Sequence, residues 1–268
     1  MAAIPAKAFD RLVRGLKRYQ PILRAARDKD AGEADTSTIV KELLSDMFGY
    51  DKFAEITSEH MIKGTFCDIA IKLEDRVQVL IEVKAIGLGL KDAHVRQAVN
   101  YAANQGVQWV FLTNGAVWRI YRIFFRQPIS EELVYECDLL SISPKSRAQV
   151  ENVFLFSKEG LSKLDDFEQT QKATSRYYLG AFVLSEPVLR VIRKEVRRIF
   201  PEVRPIDTGQ LRSKLEEEVL KREVTEGEKA DEARKRVGKP QKSKSKGKPT
   251  VNGAPRPEIL GDPVPGLE

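Results

Sequence analysis

The sequence predicts an α/β protein in which a mixed β-sheet is flanked by helices. Apolar runs of strand length, such as Val77–Lys84 and Val107–Leu112, recur along the first half of the chain. Longer segments with helical spacing of apolar residues lie before, between and after these runs, as in Phe9–Arg27 and Lys91–Gln105. Strands separated and flanked by helices in this way are typical of an α/β sandwich.

Composition limits the classes of protein to consider. The chain has 268 residues, of which 42% are hydrophobic and 31% charged, so we expect one or two globular domains and a polar segment. No apolar run approaches the roughly 20 residues that cross a bilayer, and the N-terminus lacks the apolar region of a signal peptide. The two cysteines, Cys67 and Cys137, lie in strand-like segments, which argues against disulfides or zinc. We therefore expect a cytoplasmic protein without a membrane partner.

The basic charge is concentrated near the C-terminus. Nine basic residues and no acidic residue lie between Arg234 and Arg256, whereas the whole chain has a net charge of +6. The remainder therefore carries a net negative charge and is not a basic domain. From Gly227 onward the chain has few apolar residues, so we expect a disordered basic tail that at most tethers anionic partners.

The remaining elements are predicted from their spacing and end signals. We expect Pro21 to kink or split the first helix. The second helix should cover Thr38–Phe48, with a cap among Asp35–Ser37 and an end at Gly49. Further strands are predicted at Phe53–Glu59, Phe66–Leu73, Ala116–Phe125 and, at a sheet edge, Glu132–Leu140.

Helical periodicity returns after residue 140. Predicted helices are Pro144–Phe156, Thr170–Leu184, one from the Ser185–Pro187 cap to Phe200, and one from Asp207 to Leu220. We therefore divide the chain into a domain at 1–140, a helical extension at 141–226 and the tail at 227–268. The helix that ends at Phe200 has a basic face, which either contacts phosphate or is simply a solvated surface.

Three charged residues lie where strands should bury hydrocarbon. Glu82 and Lys84 share one face at the end of a buried strand, and Asp68 lies in the strand before it. Residues Glu74–Arg76 between the two strands are few enough for a hairpin, which brings Asp68 next to Glu82. Buried charges need compensation, either from each other or from a cation. Two carboxylates and one lysine at adjacent strand ends suit Mg²⁺.

The order Asp68, Glu82-Val83-Lys84 resembles the PD-(D/E)XK nuclease superfamily. Further residues are similar to the N-terminal nuclease domain of type I restriction endonuclease R subunits: Gln97 and Tyr101 match a Gln-x₃-Tyr motif. The segment Leu112–Trp118 matches a Thr-Asn-Gly-x-x-Trp motif. The resemblance covers roughly residues 30–125 and implies a restriction-endonuclease-like fold.

The resemblance also implies the residues of a site. Asp68 and Glu82 would hold Mg²⁺ or Mn²⁺ with the carbonyl of Val83. Lys84 would orient or help to deprotonate the attacking water and offset charge on the phosphate. Gln97 and Tyr101 would position the site or a DNA phosphate. The family supplies a further acidic residue from the helix upstream. Glu33 in Gly32–Thr36 fits its pattern best, although Gly32 replaces the usual Asn, and Glu42 is the rival.

Three functions follow from these observations. The first is a metal-dependent DNA endonuclease of restriction–modification type, acting on phosphodiester bonds. The second is a DNA-binding accessory protein with a nuclease fold that does not cleave. The third is an unrelated α/β protein in which Glu82 and Lys84 form a structural ion pair. The sequence has no G-x-x-x-x-G-K-[ST] segment, so we expect a stand-alone nuclease-like domain that relies on a separate motor or specificity subunit.

Overall fold

The computed structural model describes residues 4–62, 65–202, 204 and 206–239, with side chains for all of these except 59–62 and 65–66. The chain divides into two compact units, Met1–Ser175 and Arg176–Glu268. The first unit contains a six-stranded mixed sheet with helices, as the sequence predicts for an α/β fold. No helix in the described part of the chain is both long and apolar enough to span a membrane.

The sheet has the strand order β1-β2-β3-β4-β5-β6. Its strands are β1 (Ile56–Ile62), β2 (Thr65–Leu73), β3 (Arg76–Val83), β4 (Trp109–Thr113), β5 (Val117–Phe124) and β6 (Ser130–Asp138). Only β3 and β4 pair in parallel, because a helix, α3 (Asp92–Gln105), connects them. The predicted hairpin joins β2 to β3, with Glu74 and Asp75 both at positive φ, and the last strand lies at an edge as expected.

Two helices precede the sheet. The first, α1 (Ala6–Asp28), is a single helix, so the prediction that Pro21 splits it is wrong. Helix α2 (Glu33–Glu42) continues through one π-helical turn, Leu43–Met47, and Gly49 follows at φ +83°. This helix begins five residues earlier than predicted. The Thr36 hydroxyl lies inside it and donates to the Gly32 carbonyl at 2.8 Å, so Thr36 is not the N-cap.

Both faces of the sheet are buried. Helices α1 and α2 contribute to one core, which includes Ile69, Ile81 and Trp118. Helix α3 covers the other face, where Val95, Ala98 and Tyr101 pack with residues such as Leu80. A strand buried on both sides reads as a continuous apolar run, which explains the composition of β3.

The first unit extends past residue 140, the boundary expected from the change in periodicity. Its further helices are α4 (Arg147–Val153) with a 3₁₀ turn at Phe154–Phe156, α5 (Lys158–Leu161) and α6 (Leu164–Ala173). Val150, Val153 and Phe156 belong to the same core as the sheet. Phe156 contacts the rings of Phe48 and Trp118 at centroid distances of 5.9 and 5.5 Å.

The second unit is helical. It contains α7 (Arg176–Val183), α8 (Glu186–Ile199), α9 (Thr208–Lys214) with a π-helical turn at Leu215–Val219, α10 (Arg222–Thr225) and α11 (Glu228–Val237). The single helix predicted at Thr170–Leu184 is wrong, because the chain breaks at Thr174 and Ser175 into α6 and α7. Asp207 caps α9 as predicted, accepting from the Gly209 amide at 2.9 Å.

The prediction of disorder from residue 227 onward is wrong for Glu228–Val237, which forms α11. Two small side chains, Ala230 and Ala233, are buried there, and Ala233 packs with Tyr178 and Ala181. The prediction of disorder was based on the scarcity of large apolar residues in this segment. Here two buried alanines are enough to pack the helix, although each buries little area. The rest of the predicted tail, from residue 240, lies outside the described residues.

Candidate active site

The candidate site lies where β3 ends beside β2. The antiparallel register pairs Ile69 with Ile81, so the next pair outward sets Asp68 opposite Glu82. Residues opposite one another in antiparallel strands point to the same face and have neighbouring Cβ atoms. The backbone amide of Val83 also donates to Oδ2 of Asp68 at 2.7 Å, which fixes that carboxylate against the strand end. The predicted hairpin therefore does bring the two carboxylates together.

Glu82 is the most buried charged side chain of the site, with a relative exposure of 2%. Its Oε1 accepts from Nζ of Lys84 at 2.8 Å, whereas its Oε2 is buried without a hydrogen-bond partner among the described residues. Burial raises the pKa of Glu82 to about 7; the charge on Asp68 adds to this effect and Lys84 opposes it. A carboxyl group with this pKa is about half ionised at neutral pH, and a bound cation would favour its ionised form.

The same cluster of charges shifts the pKa values of Asp68 and Lys84. Burial raises the pKa of Asp68, although the Val83 amide and the Lys84 ammonium favour its ionised form. Burial lowers the pKa of Lys84, but the hydrogen bond to Glu82 and the charge on that carboxylate outweigh it, so the net pKa is raised. Lys84 is therefore protonated in this arrangement, and it neutralises only part of the negative charge around it.

Glu33 supplies a third carboxylate. It is the first residue of α2, half exposed, and its Oε1 lies 3.5 Å from Nζ of Lys84. Glu42, the rival residue, instead forms an ion pair with Lys52. Glu82 and Glu33 thus share the ammonium group of Lys84 at the end of β3, and Asp68 interacts with the charges of Lys84 and Lys41.

Two buried polar residues hold the loop that follows β3, and the sequence did not single them out for this role. Thr36 accepts from the amide of Ile86 at 3.1 Å. Asn114 donates to the carbonyls of Ile86 and Leu88 at 3.3 and 2.9 Å, and accepts from the Val117 amide at 2.7 Å. The Thr-Asn-Gly motif was a signal for Asn114, but only the fold reveals that its amide group reaches across to the loop.

The residues expected on α3 lie in different environments. Gln97 is exposed, whereas Tyr101 is buried at 1% exposure in the core between α3 and the sheet. Burial raises the pKa of the Tyr101 hydroxyl, with a further contribution from Cys67, the neighbour of Asp68 in the chain. His94 accepts from the Lys91 amide at 3.2 Å and so caps the start of α3.

The donor set suits a hard divalent cation better than a soft one. Carboxylate oxygens of Asp68 and Glu82 and the carbonyl of Val83 are ligands of the kind that Mg²⁺ and Mn²⁺ prefer. Within the described residues, no group of three or more His, Cys, Asp and Glu side chains is placed to hold a metal ion. A cation here would therefore depend on two carboxylates, a carbonyl and water, which matches the reluctance of Mg²⁺ to shed its hydration shell.

Comparison with known protein families gives a match to part of the chain. Residues 38–134 match a family model described as the type I restriction enzyme R protein N terminus. The matched range contains Asp68, Glu82 and Lys84 and most of the sheet, whereas Glu33 precedes it. Searches of curated proteins and of solved structures found no match. A segment in the first half of this chain is therefore similar to a restriction-enzyme R protein N-terminus.

Proposed function

We propose that the first unit is a metal-dependent DNA endonuclease of the PD-(D/E)XK type, which hydrolyses phosphodiester bonds. The observation that carries this proposal is the uncompensated negative charge at the end of β3. Glu82 and Glu33 pair with the ammonium group of Lys84, Asp68 lies nearby against the Val83 amide, and a buried oxygen of Glu82 has no donor among the described residues. Such an arrangement is costly as a purely structural element, and a divalent cation would relieve it.

Each residue of the cluster then has a distinct role. Asp68, Glu82 and the carbonyl of Val83 would hold Mg²⁺ or Mn²⁺. A bound divalent cation supplies polarisation of the phosphate and lowers the pKa of the attacking water. Lys84, held between two carboxylates, would orient that water and offset charge on the phosphate.

The residues around the cluster would position it. Glu33 would help to hold the Lys84 ammonium group in place. Exposed Gln97 suits a contact with DNA, whereas buried Tyr101 suits a role in packing α3 against the strand end. The match to a restriction-enzyme R protein supports DNA as the substrate. We propose in addition a separate specificity or motor subunit as a partner.

The test is cleavage of supercoiled plasmid and single-stranded DNA by the purified chain with Mg²⁺, Mn²⁺ or EDTA. Asp68→Asn keeps an acceptor for the Val83 amide but removes the charge, and Lys84→Gln removes the ammonium group. Glu42→Gln is the matched control, since it changes a carboxylate on the same helix as Glu33 that pairs outside the cluster. We expect metal-dependent cleavage that falls at least about 100-fold in both site variants and is unchanged in the control.

Cleavage that persists in both site variants would refute this assignment of the site. DNA binding without cleavage by the wild-type chain would instead support the non-cleaving accessory protein. Calorimetric titration with Mn²⁺ distinguishes the endonuclease and the accessory protein from a protein in which Glu82 and Lys84 form only a structural ion pair. An ion pair alone would show no binding of Mn²⁺.

A further inference from the structure

The longest helix of the second unit, α8, has two chemically distinct faces. Leu189 is fully buried, and Ile192 and Val196 on the same side are partly buried, so this side is turned toward the rest of the unit. The rest of the helix circumference carries five basic residues. They are Arg190, Arg193, Lys194, Arg197 and Arg198. With 100° per residue, Arg193 lies beside Leu189 and is partly buried, whereas the other four side chains are exposed.

Ion pairs within the helix use only two of the five cations. Arg190 pairs with Glu186 at 3.1 Å, and Arg198 pairs with Glu195 at 2.7 Å. Arg193, Lys194 and Arg197 have no acidic partner among the described residues. Both carboxylates of the helix are thus already occupied, and the three remaining cations are adjacent on one side of it.

We infer that Arg193, Lys194 and Arg197 form a phosphate-contact surface for duplex DNA. Arg193 and Arg197 are one helical turn apart, a rise of about 6 Å. Successive phosphates of one strand advance about 3.4 Å along the duplex axis, so the two arginines match a step of two nucleotides. Lys194 lies about 60° further around the helix than Arg197, on the exposed side of this pair, and can contact the same strand. Guanidinium and ammonium groups in such a row bind the backbone without reading sequence.

Stabilisation of the helix itself does not account for these residues. Cations interact favourably with the helix dipole only within the last turn, and Arg193 and Lys194 lie before it. Val191, Ile199 and Phe200 are exposed near these cations, so an anionic membrane surface is the alternative that a vesicle-binding measurement tests. The inference rests on the proposed function in taking DNA as the anionic polymer.

The experiment compares two triple variants of the full chain in duplex DNA binding at several salt concentrations, with EDTA so that no cleavage is needed. One variant replaces Arg193, Lys194 and Arg197 by Gln. The control replaces Lys145, Lys163 and Lys221 by Gln; these lysines are exposed, lack an ion pair within the described structure and lie in three different loops. Both variants lose the same charge, and Gln is a good helix former, so circular dichroism should show unchanged folding.

We expect the α8 variant to reduce the slope of log K against log salt by about 2 to 3 and to weaken binding roughly 10- to 100-fold at 0.1 M salt. The control should bind like the wild type. Equal effects of the two variants, or none, would overturn the inference. Loss of binding to phosphatidylserine vesicles with DNA binding intact would overturn it in favour of a membrane surface.

The outcomes separate this inference from the proposed function. A wild-type chain that cleaves DNA, with no effect of the α8 variant on binding, would overturn the α8 surface alone. A chain that binds DNA through α8 and never cleaves would overturn the endonuclease alone. A chain that does not bind DNA would overturn both.

Discussion

The buried carboxyl group of Glu82 makes stability depend on pH in the direction opposite to most carboxylates. Its pKa is about 7 in the folded chain and near 4.5 when exposed, so the folded state binds the extra proton between these values. The contribution of this group to the free energy of unfolding is therefore fully present below about pH 4.5 and is lost as the pH rises through 7. A shift of this size corresponds to a contribution on the order of 3 kcal/mol.

The first prediction follows from this sign. Without divalent metal, the wild-type midpoint in urea should fall from pH 5 to pH 8, and Glu82→Gln should be more stable than wild type at pH 8 by about 1 to 3 kcal/mol. Mg²⁺ should raise wild-type stability more at pH 8 than at pH 6, because protons compete with the cation. Glu42→Gln serves as control. A wild-type stability that rises with pH across this range would contradict the assigned environment of Glu82.

At the scale of elements, Thr36 joins α2 to the loop that follows β3. It is fully buried, donates to Gly32 and accepts from Ile86. Thr38 makes the same type of bond to Ala34 two residues later but is exposed, and its bonds remain within the helix. The two threonines therefore differ in burial and in the connection between elements.

The second prediction uses this pair. Thr36→Val should lower the free energy of unfolding by about 1 to 3 kcal/mol, because the Ile86 amide loses its buried acceptor. It should also weaken Mn²⁺ binding, since the start of α2 positions Glu33. Thr38→Val should change either quantity by less than about 0.5 kcal/mol. Urea denaturation measures the free energy of unfolding, and calorimetry measures Mn²⁺ binding. Equal effects of the two substitutions would contradict the proposed role of Thr36 in connecting α2 to the loop after β3.

The same scale shows where sequence patterns were sufficient. The hairpin, the strand containing Glu82 and the helix containing Gln97 follow from local spacing and turn residues, and the structure has all three. The start of α2 and the break between α6 and α7 were placed wrongly. The start of α2 depends on whether the Thr36 hydroxyl bonds within the helix, and the break between α6 and α7 depends on how the helices pack. The spacing of apolar residues predicts neither.

At the scale of the whole molecule, the core of the first unit needs helices from beyond the sheet. Phe156 lies in an aromatic cluster with Phe48, Phe111, Trp118 and Tyr135. Its backbone carbonyl also accepts from the Tyr50 hydroxyl at 3.0 Å. Residues after 140 are therefore part of the folding unit that contains the site.

The third prediction concerns truncation. A fragment of residues 1–175 should unfold cooperatively, whereas residues 1–140 should expose this aromatic core and aggregate or lack a cooperative transition. Phe156→Ala in the full chain should cost about 3 to 5 kcal/mol. Thermal unfolding followed by near-ultraviolet circular dichroism measures these effects. A soluble, cooperatively folded 1–140 fragment would place the boundary at 140 after all.

The sequence by itself determined the α/β class, the hairpin and the proximity of Asp68 and Glu82, because each depends on residues close together along the chain. Only the tertiary structure decided that Glu33 approaches Lys84, that Asn114 and Thr36 hold the loop after β3, and that α4 to α6 complete the core. These contacts join residues far apart in sequence, and their formation depends on packing of the whole unit rather than on local preference.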